Sequence, residues 1–426
     1  MVEVAKAKDY VNEDKYPEVA LPDFNAVQKT IADNGDIGYI LIPKEERPKC
    51  CEACGSIAMY VHKHNTRKVK DLDSFGCRVG HIILFDSYRC DDCSALFIPE
   101  FRSLSGRMTT RLVEAIQNEA IQGVTHSVIA NKYHVSETTV SNRFEEAARP
   151  RMDAYHVIMP PVLGIDEVHL EDDYRGVFVK VDRESGRVIE FTQKRTTASV
   201  KETLQSMEQP ENLQVVTMDM WNPYKIAVNA VFPNVPIVID HFHVIKNLLR
   251  AMDSRRAAIC KAISGDKERK SLKHNRYLLL TSSEDLSAKQ AKALREILKE
   301  YSELETLYTL KEAFRDIYKE AKDAKDGVAR FNEWVDACTQ ANVTAYDVFI
   351  ESVRNWQDEI FAYFDYPTLK PTNAQTESFN RVIRDLARQG RGYSFDTLRE
   401  KVLLRRYSPE VREQFSFDFI LEAMEE

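Results

Sequence analysis

From residue 162 onward, apolar positions recur with a period of two. "VLGIDEVHL" (162–170), "GVFVKVD" (176–182) and "RVIEFTQ" (187–193) read as three strands. Arg183–Gly186 supplies a turn between the second and third, so an antiparallel meander is expected. "ASVKETLQSM" follows as a helix, "LQVVTMD" as a fourth strand, "NPYKIAVNAVF" as a helix and "VPIVID" as a fifth strand. Three strands followed by helix, strand, helix, strand make a mixed α/β sheet. The period before this region is helical. "TTRLVEAIQNEAIQG" sets Leu112, Ile116, Ala120 and Ile121 on one face and stops at Gly123. "THSVIANKY", "HV" and "SETTVSNRFEEAA" then read as helix, turn and helix.

The remaining stretches complete a multidomain α/β chain. Residues 1–46 read as an irregular acidic lead-in with one or two short elements, and residues 47–101 as a small β domain. The helix-turn-helix occupies 102–150, with Pro150, Pro160 and Pro161 around its end. The mixed sheet spans 160–245, a long, charged helical stretch spans 246–366, and a last amphipathic helix lies within 367–408. Residues 409–426 form an acidic tail. No run approaches the ~20 apolar residues of a membrane span. The first residues lack the apolar centre of a signal peptide, so a cytoplasmic protein without a membrane partner is expected.

The net charge of −8 argues weakly against a nucleic-acid partner, but it is unevenly spread. Lys and Arg number 5 against 10 Asp and Glu in residues 1–46, and 1 against 6 in 409–426. They number 10 against 3 in residues 246–276 and 9 against 4 in 366–408. Acidic ends therefore mask two basic stretches, and local patches decide phosphate binding better than the sum does. Taken singly, either stretch also reads as a solvated helix face.

Four of the eight cysteines form two C-x-x-C pairs, Cys51/Cys54 and Cys90/Cys93. Each such turn presents two thiolates to one ion, and two turns close a tetrahedral zinc site. With four protein ligands no position stays open, which makes the zinc structural. Cys50 lacks the two-residue spacing, and His62, His64 and Cys77 are not needed; the alternative is a pair of reduced turns without metal. In the helix pair, Ala130 allows close crossing, Ile129, Tyr133, Val140 and Phe144 supply packing, Ser136 is a good N-cap, and His134 takes the turn. The second helix then exposes Glu137, Thr138, Ser141, Asn142 and Arg143, as a helix entering a DNA major groove would. A plain helical hairpin is the alternative.

Asp166 and Asp219 both close apolar runs. If the first and fourth strands lie side by side, the two carboxylates meet and repel. Magnesium, with its preference for oxygen ligands, neutralises such a pair, and two ions ~4 Å apart suit phosphoryl transfer. Glu377, early in the last helix, is a third carboxylate, with Asn380, Arg381 and Arg384 on nearby faces to reach DNA phosphates. Asp240 also ends a strand and rivals Asp219, but its strand should lie one further out. His241 and His243 are expected as packed or hydrogen-bonded residues. Each carboxylate, taken singly, also reads as one half of a surface ion pair.

The blocks "CEAC…CDDC", "GIDEVHL", "VVTMDMWNPY", "VIDHFHVIKN" and "TNAQTESFNRVIRDLARQGRGYSFDTLREKVLL" resemble bacterial insertion-sequence transposases of the DDE type, in detail the ISL3 family, from about residue 50 to 408. The resemblance implies a ribonuclease-H-like catalytic core interrupted by a helical insertion. It makes Asp166, Asp219 and Glu377 the triad that holds two Mg2+ or Mn2+ ions, with Trp221 and Tyr224 shaping the loop beside Asp219. It further implies binding of double-stranded DNA at the element's terminal inverted repeats, strand cleavage, strand transfer into target DNA, and a homodimer or larger assembly on the bacterial nucleoid. A DNA-binding regulator with an inactive core and a metal-dependent nuclease without strand transfer are the competing readings.

Overall fold

This computed structural model describes residues 6–45, 47–170, 173–182, 185–366 and 374–405, the last segment with side chains from residue 378. The acidic tail, residues 409–426, and the side chain of Glu377 lie outside the described residues. The chain divides after Ala154 into two compact units.

The first unit is built on one sheet. Its strands are β1 (Phe24–Ile31), β2 (Ile37–Pro43), β3 (Met59–Lys70), β4 (Val79–Cys90), β5 (Leu96–Phe97), β6 (Leu104–Ser105) and β7 (Met108–Thr109). They lie in the order β1-β2-β4-β3-β7-β6, with β5 also on β4. The expected irregular lead-in therefore needs correction. Residues 24–43 form two paired strands, and β2 lies parallel to β4, so the sheet crosses the expected boundary at residue 46. Asn34-Gly35 turns the β1–β2 hairpin, with Gly35 at φ +84°, a conformation open to glycine. Phe24, Ala26, Leu41, Val69, Ile83 and Phe85 fill the core on one face.

A buried polar knot ties this sheet to the helices that follow. Asp71, just past β3, accepts hydrogen bonds from His81 Nε2 (2.7 Å), Thr109 Oγ1 (2.7 Å) and Arg111 Nε (2.7 Å). Arg111 opens α1 (Thr110–Ile121), which leads to α2 (His126–Lys132) and α3 (Glu137–Asp153). Thr109, Thr125 and Ser136 cap the three helices, each accepting the backbone N–H three residues on. His134 makes the turn between α2 and α3 at φ +53°. Helix α3 runs through Pro150 to Asp153, past the expected end at 150, because a proline in the last turn removes only one helical hydrogen bond.

The second unit carries the mixed sheet. β8 (Val162–Leu170), β9 (Asp173–Lys180) and β10 (Arg187–Thr192) form the antiparallel meander. α4 (Thr197–Ser206), β11 (Val215–Met218), α5 (Asn222–Val231) and β12 (Ile237–Ile239) follow, and β11 lies parallel to both β8 and β12. The order is β10-β9-β8-β11-β12, so the first and fourth strands of the expected sheet are neighbours. Every residue of β11 and β12 is buried, as continuous apolar runs in a covered parallel sheet require. A helical stretch follows: α6 (His241–Ala262), α7 (Asp266–His274), α8 (Arg276–Leu280), α9 (Ala288–Glu300), α10 (Ser302–Glu320), α11 (Ala324–Gln340), α12 (Asp347–Asn355) and α13 (Gln357–Phe361). α14 (Ala374–Gln389) then returns to pack on β8, and α15 (Phe395–Leu404) packs on β10. Among the described residues no helix is long and apolar enough to cross a membrane.

The knot at Asp71 makes folding of the first unit acid-sensitive. Burial alone would raise the Asp71 pKa, but the hydrogen bonds from Arg111, His81 and Thr109 hold it well below the usual carboxylate range. Its stabilising contribution is therefore fully present above the ~3.9 of an unfolded aspartate and is lost as pH falls below it. Asp71→Ala, which leaves Arg111 and His81 without their anion, should cost about 3–5 kcal/mol. Denaturant unfolding at neutral pH checks this, and a loss under ~1 kcal/mol would show that the knot does not stabilise the unit.

Candidate functional site

The second unit gathers its carboxylates by register. Met218 of β11 pairs with Ile165 of β8, and Ile239 of β12 pairs with Met218, all in parallel. The next residue on each strand is an aspartate: Asp166, Asp219 and Asp240. Three acids thus stand at one level on three adjacent strands, just past the carboxyl ends of β11 and β12, where open α/β sheets bind ligands, and midway along β8. With strands ~4.8 Å apart, Asp219 neighbours Asp166 and Asp240 lies one strand further away, the order expected from the sequence. Oxygens of Asp166 and Asp219 and a ring nitrogen of His243 all lie within 4.8 Å of one another.

Two helices close on this pair. Asn380 of α14 is buried and donates from Nδ2 to Asp166 Oδ2 (2.7 Å) and to the Glu167 carbonyl (3.3 Å). The expectation that Asn380 faces DNA phosphates is therefore corrected. The apolar stripe Phe379, Ile383 and Leu386 turns it inward, whereas Arg381 and Arg384 remain exposed. Glu377 lies one helical turn before Asn380 in α14. From α6, His243 Nε2 contacts Asp219 Oδ1 at 2.7 Å. Asp240 is fully buried and caps α6, its Oδ1 accepting from the Phe242 N–H (3.0 Å). Its side chain fixes the helix that carries His243.

A further group at this edge was not anticipated. Arg195 pairs with Glu167 and sits between the rings of Tyr174 and Trp221, 4.0 and 4.7 Å from their centroids. Both rings are about two-fifths exposed, at 38% and 40%. The sequence signal was the position of Glu167 directly after Asp166 and of Trp221 two residues after Asp219.

Burial, and then the neighbouring Asp219 charge, push the Asp166 carboxyl up to about 7. For His243, burial works against protonation, but the hydrogen bond and charge of Asp219 outweigh it and raise its pKa. A buried acid with a raised pKa beside a second carboxylate is an arrangement that a hard divalent cation relieves, and the all-oxygen pair fits magnesium.

The first unit holds a second cluster. Cys51, Cys54, Cys90 and Cys93 lie within 4.8 Å of one another, with Cys51–Cys93 and Cys54–Cys90 Sγ separations of 3.7 and 3.6 Å. A tetrahedral zinc with ~2.3 Å bonds to sulfur has edges of about 3.8 Å, so the four thiols fit that ion. The two turns are built alike. Gly55 N–H donates to Cys51 O and Ser94 N–H to Cys90 O, while Cys51 N–H donates to Ser56 O and Cys90 N–H to Ala95 O. Gly55 and Ser94 both take positive φ, +74° and +62°, to reverse the chain. The backbone N–H of Cys93 is the main cause that brings the Cys90 thiol down to about 7, whereas for Cys54 and Cys93 the neighbouring thiols and burial outweigh the backbone N–H groups of Ser56 and Ala95 and raise the pKa.

Residues 163–402, more than half of the chain, match the DDE family of ISL3 transposases. The chain belongs to this transposase family. It is 24% identical over 367 residues to the transposase for insertion sequence element IS1001 of Bordetella parapertussis, covering 85% of this chain and 89% of that protein. It is also 24% identical over 259 residues to the transposase for insertion sequence element IS1557 in two strains of Mycobacterium tuberculosis. That match covers 54% of this chain and 56% of the relative.

In this transposase, the expected recognition face of α3 is only partly open. Thr138 and Asn142 are exposed and Ser141 is half-buried. Arg143, expected to face outward, is half-buried instead: its Nη1 donates to Glu146 Oε2 (2.7 Å) and Ser105 Oγ (3.3 Å). Its place beside the buried Val140 and Phe144 turns it toward β6.

Asp166 sets a pH dependence of the metal-free protein. Its folded value of about 7 exceeds the ~3.9 of an unfolded aspartate, so its contribution to stability falls as pH rises through that interval. Asp219→Asn removes the neighbouring charge and should move the Asp166 midpoint down. Carboxyl-carbon NMR titration reads this, and an unchanged midpoint would mean that the two carboxylates are not coupled.

Proposed function

We propose that this transposase binds the terminal inverted repeats of its insertion sequence and cleaves and joins DNA strands at Asp166, Asp219 and Glu377, within a ribonuclease-H-like core interrupted by the helical stretch 246–366. The observation that carries the reading is the in-register meeting of Asp166 and Asp219, closed by Asn380 one helical turn after Glu377. Zinc at Cys51, Cys54, Cys90 and Cys93 is structural. The α2–α3 helix-turn-helix reads DNA through Thr138, Ser141, Asn142 and Arg143, the last by exchanging Glu146 for a phosphate. Arg381 and Arg384 hold phosphates near the core. The protein acts in the bacterial cytoplasm, as a dimer or larger assembly that holds two element ends and a target duplex together.

When bound, two Mg2+ or Mn2+ ions would supply positive charge against the ionised carboxylates and Lewis-acid activation of the phosphate. Asn380 pins one oxygen of Asp166, and His243 orients Asp219. Arg195, stacked between Tyr174 and Trp221, borders the entering strand. In cleavage, a water oxygen forms a bond to phosphorus as the bond to the 3′ oxygen breaks. The freed 3′-hydroxyl then attacks a second phosphodiester. Each step exchanges one P–O bond for another and needs no external energy source.

Asp166→Asn, Asp219→Asn and Glu377→Gln should each lower cleavage of labelled end DNA by ~10³-fold or more while leaving end binding intact. Asp240→Asn retains a helix cap and should cost about 10- to 100-fold, as supporting residues around metal ligands do. If Asp240→Asn is inactive and Asp219→Asn cuts normally, the triad must be rebuilt around Asp240. Joined products in a plasmid assay separate this reading from a nuclease without strand transfer.

Elemental analysis should find one zinc per chain, lost in Cys51→Ser and kept in Cys77→Ser. Zinc-free protein with its fold and melting temperature unchanged would sink the structural role.

A further inference from the structure

Helix α6 begins at the carboxylates and leads away from them. Asp240 caps it and His243, in its first turn, holds Asp219. Val244, Leu248 and Met252 bury one face, which fixes the helix in rotation. The opposite face exposes Phe242, Lys246, Arg250 and Ser254, each four residues from the last. From Phe242 to Ser254 this stripe covers about 18 Å at ~1.5 Å per residue. It stands as a ridge between two grooves. One, of about 590 Å³, is bounded by Arg250, Ser254 and Val348 of α12; the other, of about 430 Å³, by Phe242, Lys246 and Arg276.

The four cations of α6 from Lys246 to Arg256 fall into two groups. Arg255 is paired with Glu303, and Arg256 with Asp253, which also receives Arg276. These pairs tie helices together. Lys246 and Arg250 have no carboxylate within ion-pair distance among the described residues. Lys246 lies 5.9 Å from the ring centroid of Phe242, and Arg250 Nη1 reaches only Asn247 Oδ1 at 3.3 Å. In a chain of net charge −8, two uncompensated cations on a rigid ridge that starts at an anionic centre call for an anionic partner that follows the ridge.

We propose that the stripe Phe242–Lys246–Arg250–Ser254 is a track for the sugar–phosphate backbone of the duplex whose strand reaches the Asp166–Asp219 pair. The proposal rests on the DNA-cleaving reading above and adds to it a named path for the DNA. Lys246 and Arg250 contact successive phosphates, Phe242 packs on a sugar at the site end, and Ser254 leaves the far end unobstructed. The occupant is the element-end duplex, because its strand is the one cleaved at the carboxylates; flanking and target DNA are the other outcomes of the test.

The test measures binding of full-length protein, in magnesium-free buffer, to three duplexes. The first is a pre-cleaved end carrying the element's own terminal sequence, the second is the same end with flanking DNA, and the third is an unrelated target duplex. Affinity is followed from ~50 to ~200 mM salt. Losing two phosphate contacts in Lys246→Ala/Arg250→Ala should reduce the slope of log affinity against log salt by about 1.8, so this change of salt costs the variant roughly 12-fold less affinity than wild type. The slope should drop on both duplexes that carry the element end; a drop only on the flanked duplex or only on the target would overturn the assignment to the end. Arg255→Ala, which removes a paired cation, should leave all three slopes unchanged. Equal melting temperatures show that the fold is kept, and Lys246→Gln/Arg250→Gln should repeat the result. If wild type binds and the double variant keeps its slope on all three duplexes, the track is wrong and the stripe is a solvated helix face. Wild type binding none of the three would overturn the DNA-cleaving reading, and the track with it.

Discussion

Parallel pairing of β8 and β11 forces two aspartates together at the end of a buried sheet. The backbone hydrogen bonds leave no freedom in this: a register that pairs Met218 with Ile165 sets Asp219 beside Asp166. Burial, and then the charge of the neighbouring Asp219, disfavour ionisation of Asp166 and raise its pKa to about 7. The rest of the second unit is arranged around this conflict. α14 brings an amide to Asp166, α6 brings an imidazole to Asp219, and Asp240 spends its charge on capping the helix that delivers the imidazole. The amide and the imidazole together hold the pair in geometry.

The first unit depends on a different device. β3 and β4 form a long antiparallel ribbon, and each end of it is clamped by polar chemistry. At the Met59/Cys90 end stand the four thiols; at the Lys70/Gly80 end stands the Asp71 knot with His81, Thr109 and Arg111. The hydrophobic core between them is small, and clusters of this kind commonly complete small β units whose apolar area is insufficient.

Much of the second unit was legible because its chemistry is local. β-branched runs marked the strands, the turn between β9 and β10 marked the meander, and an acid at the end of an apolar run marked each site strand. The cysteine pairs were legible for the same reason, since two-residue spacing is a local requirement of a chelating turn. Residues 24–43 were missed because their acidic surroundings hid the alternation, although Asn34-Gly35 between two apolar runs is a strong hairpin signal. The partners of the carboxylates could not be read at all with certainty of place. Whether Asn380 faces phosphate or Asp166 depends on which stripe of α14 meets β8, and the orientation of Arg143 depends on β6 lying beside α3. These are long-range packing outcomes, set by neighbours that no short window contains.

Asp166 and Asn380 are separated by 214 positions along the chain. During synthesis the ribosome therefore releases Asp166 and Asp219 well before α14 exists. A message cut short anywhere in the helical stretch yields a polypeptide that lacks the closing helix altogether. The long interruption thus delays closure of the Asp166–Asp219 pair until the whole helical stretch has been made.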